Sequence, residues 1–307
     1  MVRQRNTRRL KRRFTCVGGA LAGNNRRSNW TYKRPSSIPY ESILGKRGCK
    51  PGNNGSEDSC IPLDILKTYA KKEGKPEPNN RSELCNSLGC SKDSDSGLLE
   101  KLPASLRAEW EKKFFRPKPP EEWNNDPDAW LDNHSIEAVL KQYEEEDPTF
   151  KSLGAVPIDF AAPSPYETQS KQCLLPEFCK LNLKELETAG KTGVGMVFNL
   201  DPHFKDGSHW VALYVDVKTP GCYYFDSYGM KPPKQIRLLM ETLWSQDKRC
   251  KLAYNGRRFQ YSKSECGMYS MFFIICMHYG IQFKKFVKHR VKDDVMLFLR
   301  SWLFNIE

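Results

Sequence analysis

Two stretches decide the fold of this chain: residues 209–229, HWVALYVDVKTPGCYYFDSYG, and residues 260–281, QYSKSECGMYSMFFIICMHYGI. The first stretch opens with an apolar alternation directly after His209, which predicts a strand with one buried face. Gly221 breaks that pattern, and the aromatic run after it predicts the return strand of a hairpin that ends at Asp226. His209 and Asp226 are therefore expected to flank two neighbouring strands.

The second stretch places a cysteine before a helix. Cys266 precedes an apolar run of helix length, Met268 to His278, and is expected at or just before the helix N-terminus. The unpaired N–H groups of a helix N-terminus and a nearby imidazolium both favour the nucleophilic thiolate. In this interpretation His209 is the base and ion-pair partner, and Asp226 orients its ring. The Gln260 side chain and the Cys266 N–H are the candidate oxyanion-hole donors.

These motifs resemble a known superfamily. The order His, Asp, Gln, Cys, carried by HW at 209–210, YFDS at 224–227, and Gln260 followed by ECG at 265–267, resembles the SUMO-protease and adenovirus-protease superfamily of cysteine peptidases. In papain the cysteine comes first. The segment from Leu131 to Phe160 looks most like the processing proteases of large DNA viruses, of the African swine fever virus and mimivirus type. The resemblance covers roughly residues 128–307.

The resemblance implies an α+β fold of the papain-like or adenain-like type, with a central mixed sheet between helices. It implies that the segment Phe150 to Phe160 borders the substrate cleft. Trp210, Asp159 and Gly267 are the candidate substrate-binding residues, and no cofactor and no metal are expected.

Proteases of this family cut after Gly-Gly, because their narrow channel admits only residues without side chains near the scissile bond. The N-terminal segment contains such a step at Gly18-Gly19-Ala20. The bond between Gly19 and Ala20 is therefore a possible self-cleavage site. A simple flexible hinge is the alternative interpretation.

The positive charge of the chain is concentrated at its N-terminus. The net charge is +12, and the first 50 residues carry 14 Lys and Arg against the single acid Glu41, whereas the other 257 residues carry 35 basic and 36 acidic residues. The composition predicts a basic, largely disordered arm over residues 1–58, with a nucleic-acid-binding or nuclear-targeting role as one possibility.

The remaining sequence predicts two further parts. Residues 59–125 are expected to form a small helical domain with a Pro-rich connector, weakly similar to SAP-type nucleic-acid-binding units, and residues 126–307 the catalytic domain. The 11 cysteines, an odd number with irregular spacing and no secretory signal, predict free thiols in a reducing compartment. Cys49, Cys60, Cys85 and Cys90 lack the paired spacing of a zinc site.

The sequence thus predicts a thiol endopeptidase that processes viral structural polyproteins after Gly-Gly-X sites during virion maturation. Its expected location is the virion and the virus factory of the host cytoplasm, with the nucleus as an alternative. Three other functions stay open: a SUMO or ubiquitin-like deconjugating isopeptidase, an acyltransferase of related architecture, and a non-enzymatic nucleic-acid-binding protein.

Overall fold

A computed structural model describes residues 14–18, 38–126, 128–163 and 173–306. In chain order its strands and helices are β1 (Phe14–Val17), α1 (Tyr40–Leu44), α2 (Leu63–Lys72), α3 (Arg81–Leu88), α4 (Asp95–Lys101), α5 (Ala104–Phe114), α6 (Asn133–Glu146), β2 (Phe150–Pro157), α7 (Pro176–Cys179), α8 (Leu183–Thr188), β3 (Gly193–Asn199), β4 (Trp210–Asp216), β5 (Gly221–Phe225), α9 (Lys234–Gln246), β6 (Lys251–Asn255), α10 (Cys266–His278), α11 (Phe283–Lys288) and α12 (Asp293–Leu303).

The chain forms two compact units. One contains the described residues up to Ile38 and residues 128–297, and the other contains residues 39–126 and 298–306. The predicted boundaries at 58 and 125 therefore differ from this division, which places residues 39–58 and the end of α12 with the helical unit. None of the helices in the described part of the chain combines the length and the apolar composition needed to cross a membrane.

The larger unit is built on a six-stranded sheet in the order β1-β6-β5-β4-β3-β2. The neighbours of β4 are antiparallel to it, and the other pairs run parallel, so the sheet is mixed as expected. Helix α10 packs on β4 and α6. Every residue from Cys266 to Met277 is buried, because an α-helix that is apolar on all sides needs cover on all sides.

Strand β1 departs from the expectation for the N-terminal arm. Phe14 to Val17 pair in parallel with the outer edge of β6, although the composition around them predicts a largely disordered segment. An edge strand presents unpaired N–H and C=O groups, and a short segment of β-forming residues can satisfy them. The composition of the N-terminal segment does not indicate this local strand.

The helical unit has a core of its own and two disulfides. Leu66, Leu84 and Trp110 lie in that core. Cys49 is bonded to Cys60, and Cys85 to Cys90. The four cysteines considered as zinc ligands are therefore bonded in disulfides. No group of three or more potential metal ligands occurs among the described residues.

The prediction of free thiols is wrong for six of the 11 cysteines, since Cys173 and Cys179 form a third disulfide. Local backbone geometry explains one pair that spacing alone could not predict. After α3, Gly89 adopts the left-handed conformation, and the N–H of Cys90 donates to the carbonyl of Cys85 at 3.0 Å. The turn brings the two cysteines together.

The contact between β3 and α10 depends on a glycine. A Cβ at Gly195 would lie 2.5 Å from Cγ2 of Ile274 and 2.9 Å from Cζ of Phe150. We expect Gly195→Ala to destabilise the protein by about 1–3 kcal/mol, because the added methyl group overpacks this contact. Urea denaturation monitored by circular dichroism measures the loss. In an Ile274→Ala background the same change should cost less, and an equal cost in both backgrounds would contradict the packing explanation.

Candidate active site

Cys266 is the first residue of α10. It is 2% exposed, and Glu265 precedes the helix without a side-chain cap. The structure therefore places the predicted nucleophile at a helix N-terminus, where backbone N–H groups have no partner within the helix. A developing negative charge at this position is favoured by those groups and by the helix dipole.

His209 and Asp226 meet at the same end of the β4–β5 hairpin. Ala212 pairs with Phe225 in the antiparallel register, so the residue before β4 and the residue after β5 lie close together. Nε2 of His209 lies 2.8 Å from Oδ1 of Asp226. His209 also hydrogen-bonds the Cys266 side chain. Because Nε2 contacts Asp226, Nδ1 is the ring atom left to face the thiol.

Asn255, which the sequence reasoning missed, fixes the backbone of Asp226. Its Oδ1 accepts from the N–H of Asp226 at 2.9 Å, and its Nδ2 donates to the carbonyl of Asp226 at 2.8 Å. Asn255 is fully buried at the end of β6, the strand next to β5. A buried polar side chain needs partners, and here both of its polar atoms hold Asp226, the residue predicted to orient the histidine. The sequence signal that could have identified Asn255 was an amide residue at the end of an apolar strand.

The electrostatics of the site favour a charged histidine. Burial by itself lowers the pKa of His209, but hydrogen bonds and charge interactions with Asp226 and Cys266 outweigh it and raise the pKa to about 9. An ordinary histidine titrates near pH 6.5, so His209 is mostly an imidazolium at neutral pH. A buried imidazolium between a carboxylate and a thiol is the arrangement of a thiolate–imidazolium pair.

Gln260 is buried in the loop before α10. Its Oε1 accepts from the hydroxyl of Ser227 at 2.6 Å, and its Nε2 donates to the carbonyl of Ser262 at 3.0 Å. These bonds fix the orientation of the Gln260 amide and identify which of its two terminal atoms is the nitrogen. Nε2 has a second hydrogen, which is suited to binding an oxyanion. The oxyanion role of Gln260 stays a prediction.

Two of the predicted substrate-binding residues lie beside the predicted catalytic groups. The indole N–H of Trp210 donates to the carbonyl of Leu131 at 2.8 Å. Gly267 packs against the same residue, since a Cβ there would be 3.1 Å from Cδ1 of Leu131. Because Gly267 has no side chain, the segment before α6 can approach the N-terminus of α10. Their roles in substrate binding stay predictions.

Asp159, the third candidate, holds the loop that leads to His209. Its carboxylate accepts from the backbone N–H of His203 at 3.0 Å and contacts Nδ1 of His203 at 2.7 Å. This loop and the end of β2 line a groove of about 470 Å³ that reaches Trp210. Gly19 and Ala20, the possible self-cleavage site, lie outside the described residues.

Comparison with known proteins agrees with this geometry. Residues 196–305 match the model of the Ulp1 protease family, C-terminal catalytic domain. This segment contains His209, Asp226, Gln260 and Cys266, and the resemblance predicted from these motifs is confirmed.

The chain is also similar to proteases of two large DNA viruses. It is 34% identical over 181 residues, 57% of each chain, to a putative thiol protease of Acanthamoeba polyphaga mimivirus. It is 27% identical to a cysteine protease of an African swine fever virus isolate from Malawi, over 82% of this chain and 93% of that protein. The corresponding protein of a Kenyan isolate, called a SUMO-1 cysteine protease, is 34% identical over 36% of this chain and 44% of its own length. The chain thus matches only about half of two of these relatives.

The structural comparison confirms the predicted fold class. The crystal structure of the African swine fever virus protease superposes with a TM-score of 0.60 at 22% identity, over 85% of this chain and 96% of that chain. At this identity the likeness concerns the fold alone.

The charge state of His209 gives a testable pH dependence. Its folded-state pKa of about 9 means that the imidazolium is present below that pH and is lost as the pH rises through it. We expect alkylation of Cys266 by iodoacetamide to show a transition near pH 9 in the wild type. In Asp226→Asn this transition should move down by about 1–3 pH units, because the opposite charge is removed. An unchanged transition in Asp226→Asn would contradict the assignment of Asp226.

Proposed function

We propose that this chain is an active thiol endopeptidase that cleaves viral structural polyproteins after Gly-Gly-X sites during virion maturation. One observation carries the catalytic part of the proposal: His209, hydrogen-bonded to Asp226 through Nε2, also contacts Cys266 at the first residue of a buried helix. Consecutive hydrogen bonds thereby link the proposed nucleophile to a base, and the base to a residue that orients it.

The reaction proceeds through a thioester. The Cys266 sulfur forms a bond to the scissile carbonyl carbon, and the carbonyl oxygen becomes an oxyanion. As the C–N bond breaks, the imidazolium of His209 gives its proton to the leaving amine. Neutral His209 then takes a proton from water, which attacks the thioester and releases the carboxylic acid and the thiol. Asp226 holds the ring through its contact with Nε2 of His209.

The oxyanion requires preorganised donors. In the proposal these are the N–H of Cys266, which lies at the helix N-terminus, and the second Nε2 hydrogen of Gln260. The Ser227 hydroxyl and the Ser262 carbonyl hold the Gln260 amide in one orientation, so little reorganisation is needed when charge develops.

The burial of the catalytic groups supports a Gly-Gly preference. Cys266, His209 and Asp226 are 2%, 8% and 1% exposed, and only a substrate backbone with little bulk beside the scissile bond can approach such a thiol. Glycine supplies the least bulk of any residue. The two viral thiol proteases similar to this chain support a viral substrate and a location in the virion and the host virus factory, with the nucleus as the alternative. Nucleic acid bound through residues 1–50 is a further proposed partner.

A second candidate is removal of SUMO or another ubiquitin-like modifier. It is favoured by the family model, and by the name SUMO-1 cysteine protease that one African swine fever virus relative carries. The same catalytic residues serve both functions, because an isopeptide carbonyl reacts in the same way as a peptide carbonyl. The difference lies in whether a folded modifier is needed for binding.

A panel of substrates separates the two functions. We expect cleavage of short X-Gly-Gly-X peptides, with a large loss when either glycine is replaced by alanine, because the proposed preference at the buried thiol is for residues without side chains. SUMO and ubiquitin fusions are tested in parallel by electrophoresis, with Cys266→Ala as the blank.

Cleavage confined to the fusions would replace polyprotein processing by deconjugation, and no Cys266-dependent cleavage at all would contradict both functions. The same two preparations, compared by intact mass, test self-cleavage. Loss of residues 1–19 from the wild type alone supports a cut between Gly19 and Ala20, and an intact wild type removes that proposal.

A further inference from the structure

An aromatic ring lies flat against the candidate catalytic histidine. The rings of Tyr228 and His209 have centroids 4.5 Å apart and planes inclined by only 17°. An aromatic face is the negative part of the ring quadrupole, so it attracts a cation placed over it. Because His209 is charged at neutral pH, this contact is a cation–π stack as well as a packing contact.

The backbone of Tyr228 binds Asp226, the hydrogen-bond partner of His209. Its N–H donates to Oδ1 of Asp226 at 2.8 Å, the same oxygen that contacts Nε2 of His209. Through its backbone N–H, Tyr228 thus fixes the Asp226 carboxylate, which directs the His209 imidazole within the plane of the imidazole ring. Through its side chain, Tyr228 restricts movement of the imidazole perpendicular to that plane.

The turn that presents Tyr228 is constrained by a hydrogen bond and by a close backbone contact. The N–H of Gly229 donates to the carbonyl of Asp226 at 2.8 Å, and Gly229 has φ +76°. A Cβ at Gly229 would lie 2.7 Å from the backbone of Arg257. The turn therefore presses directly on the loop that leads from β6 towards Gln260.

Arg258 from that loop and Tyr261 form, with Tyr228 and Arg290, a row of alternating guanidinium groups and rings. The Arg258 guanidinium carbon lies 5.1 Å from the ring centroid of Tyr228 and 4.7 Å from that of Tyr261, and Arg290 lies 4.5 Å from Tyr261. Nε of Arg258 donates to the carbonyl of Gln260 at 2.7 Å. Arg258 thereby links the ring on the histidine to the backbone of the candidate oxyanion-hole residue.

We propose that Tyr228 is a positioning residue of the protease site: its ring holds the plane of His209 and stabilises the imidazolium, and Arg258 anchors that ring. This inference rests on the proposed function. The titratable and charged groups that face Tyr228 are Cys266, Arg258, Asp226 and Asp293, and those that face His209 are Asp226 and Cys266. Asp226 and Cys266 act on His209 through hydrogen bonds, whereas Tyr228 acts on the face of its ring.

The test compares Tyr228→Leu with Tyr228→Phe. Leucine keeps apolar bulk but removes the aromatic face, whereas phenylalanine keeps the face and loses only the hydroxyl. We expect Tyr228→Leu to lower kcat for a Gly-Gly peptide by about 3- to 30-fold with little change in KM, the range of a partly buried cation–π contact. The alkaline transition of Cys266 alkylation should move to lower pH in the same variant. Tyr228→Phe should restore most of both properties.

The alkylation profile separates this inference from the proposed function, because it needs no substrate. If the wild type alkylates with a transition near pH 9 but cleaves no peptide, the proposed function fails and the positioning role of Tyr228 is still measured. If Tyr228→Leu has the wild-type transition and the wild-type kcat, the inference is overturned. Equal losses in Tyr228→Phe and Tyr228→Leu would also overturn it, since the hydroxyl and not the ring face would then matter.

A second position guards against misfolding of the leucine variant. Arg258→Met removes the cation but leaves the Tyr228 ring intact, and we expect a smaller fall in kcat that Arg258→Lys partly restores. Circular dichroism of each variant reports whether it is folded. Wild-type kcat in Arg258→Met would contradict the anchoring role assigned to Arg258.

Discussion

The position of the reactive sulfur depends on the burial of one helix. Helix α10 is apolar on every side, and its cover by β4 and α6 leaves it no freedom to rotate or slide without exposing apolar surface. Cys266 is its first residue, so the packing that buries the helix also fixes the thiol. Gly267 and Gly195 allow this close packing, because a side chain at either position would meet Leu131 or Ile274.

The site is then completed by groups that arrive from the sheet. His209 and Asp226 lie at one end of adjacent strands, and Asn255 holds the aspartate from the next strand. A buried charge is costly unless it is paired and hydrogen-bonded, and the Asp226 carboxylate has both His209 and the backbone N–H of Tyr228 as partners. The raised pKa of His209 is the measurable result of that arrangement.

Much of this arrangement could be predicted from the sequence, and the rest could not for physical reasons. The strands around His209 and Cys222 follow from apolar alternation, and the helix that begins at Cys266 follows from an apolar run of helix length; the local sequence displays both directly. The stack of Tyr228 on His209 and the bonds of Asn255 join residues distant in sequence, and no periodicity encodes them. The pairing of β1 with β6 is likewise a tertiary contact within a segment whose composition predicts disorder.

The most direct test of the account is the site of covalent labelling by a substrate-like electrophile. Five described cysteines are not in disulfides: Cys16, Cys222, Cys250, Cys266 and Cys276. A peptide ending in Gly-Gly-vinyl sulfone, added to the folded protein and mapped by mass spectrometry, should label Cys266 alone, and Asp226→Asn should slow the reaction. Equal labelling of exposed Cys16 and Cys266, or labelling of Cys266 that is unchanged in Asp226→Asn, would contradict the account of an activated thiol.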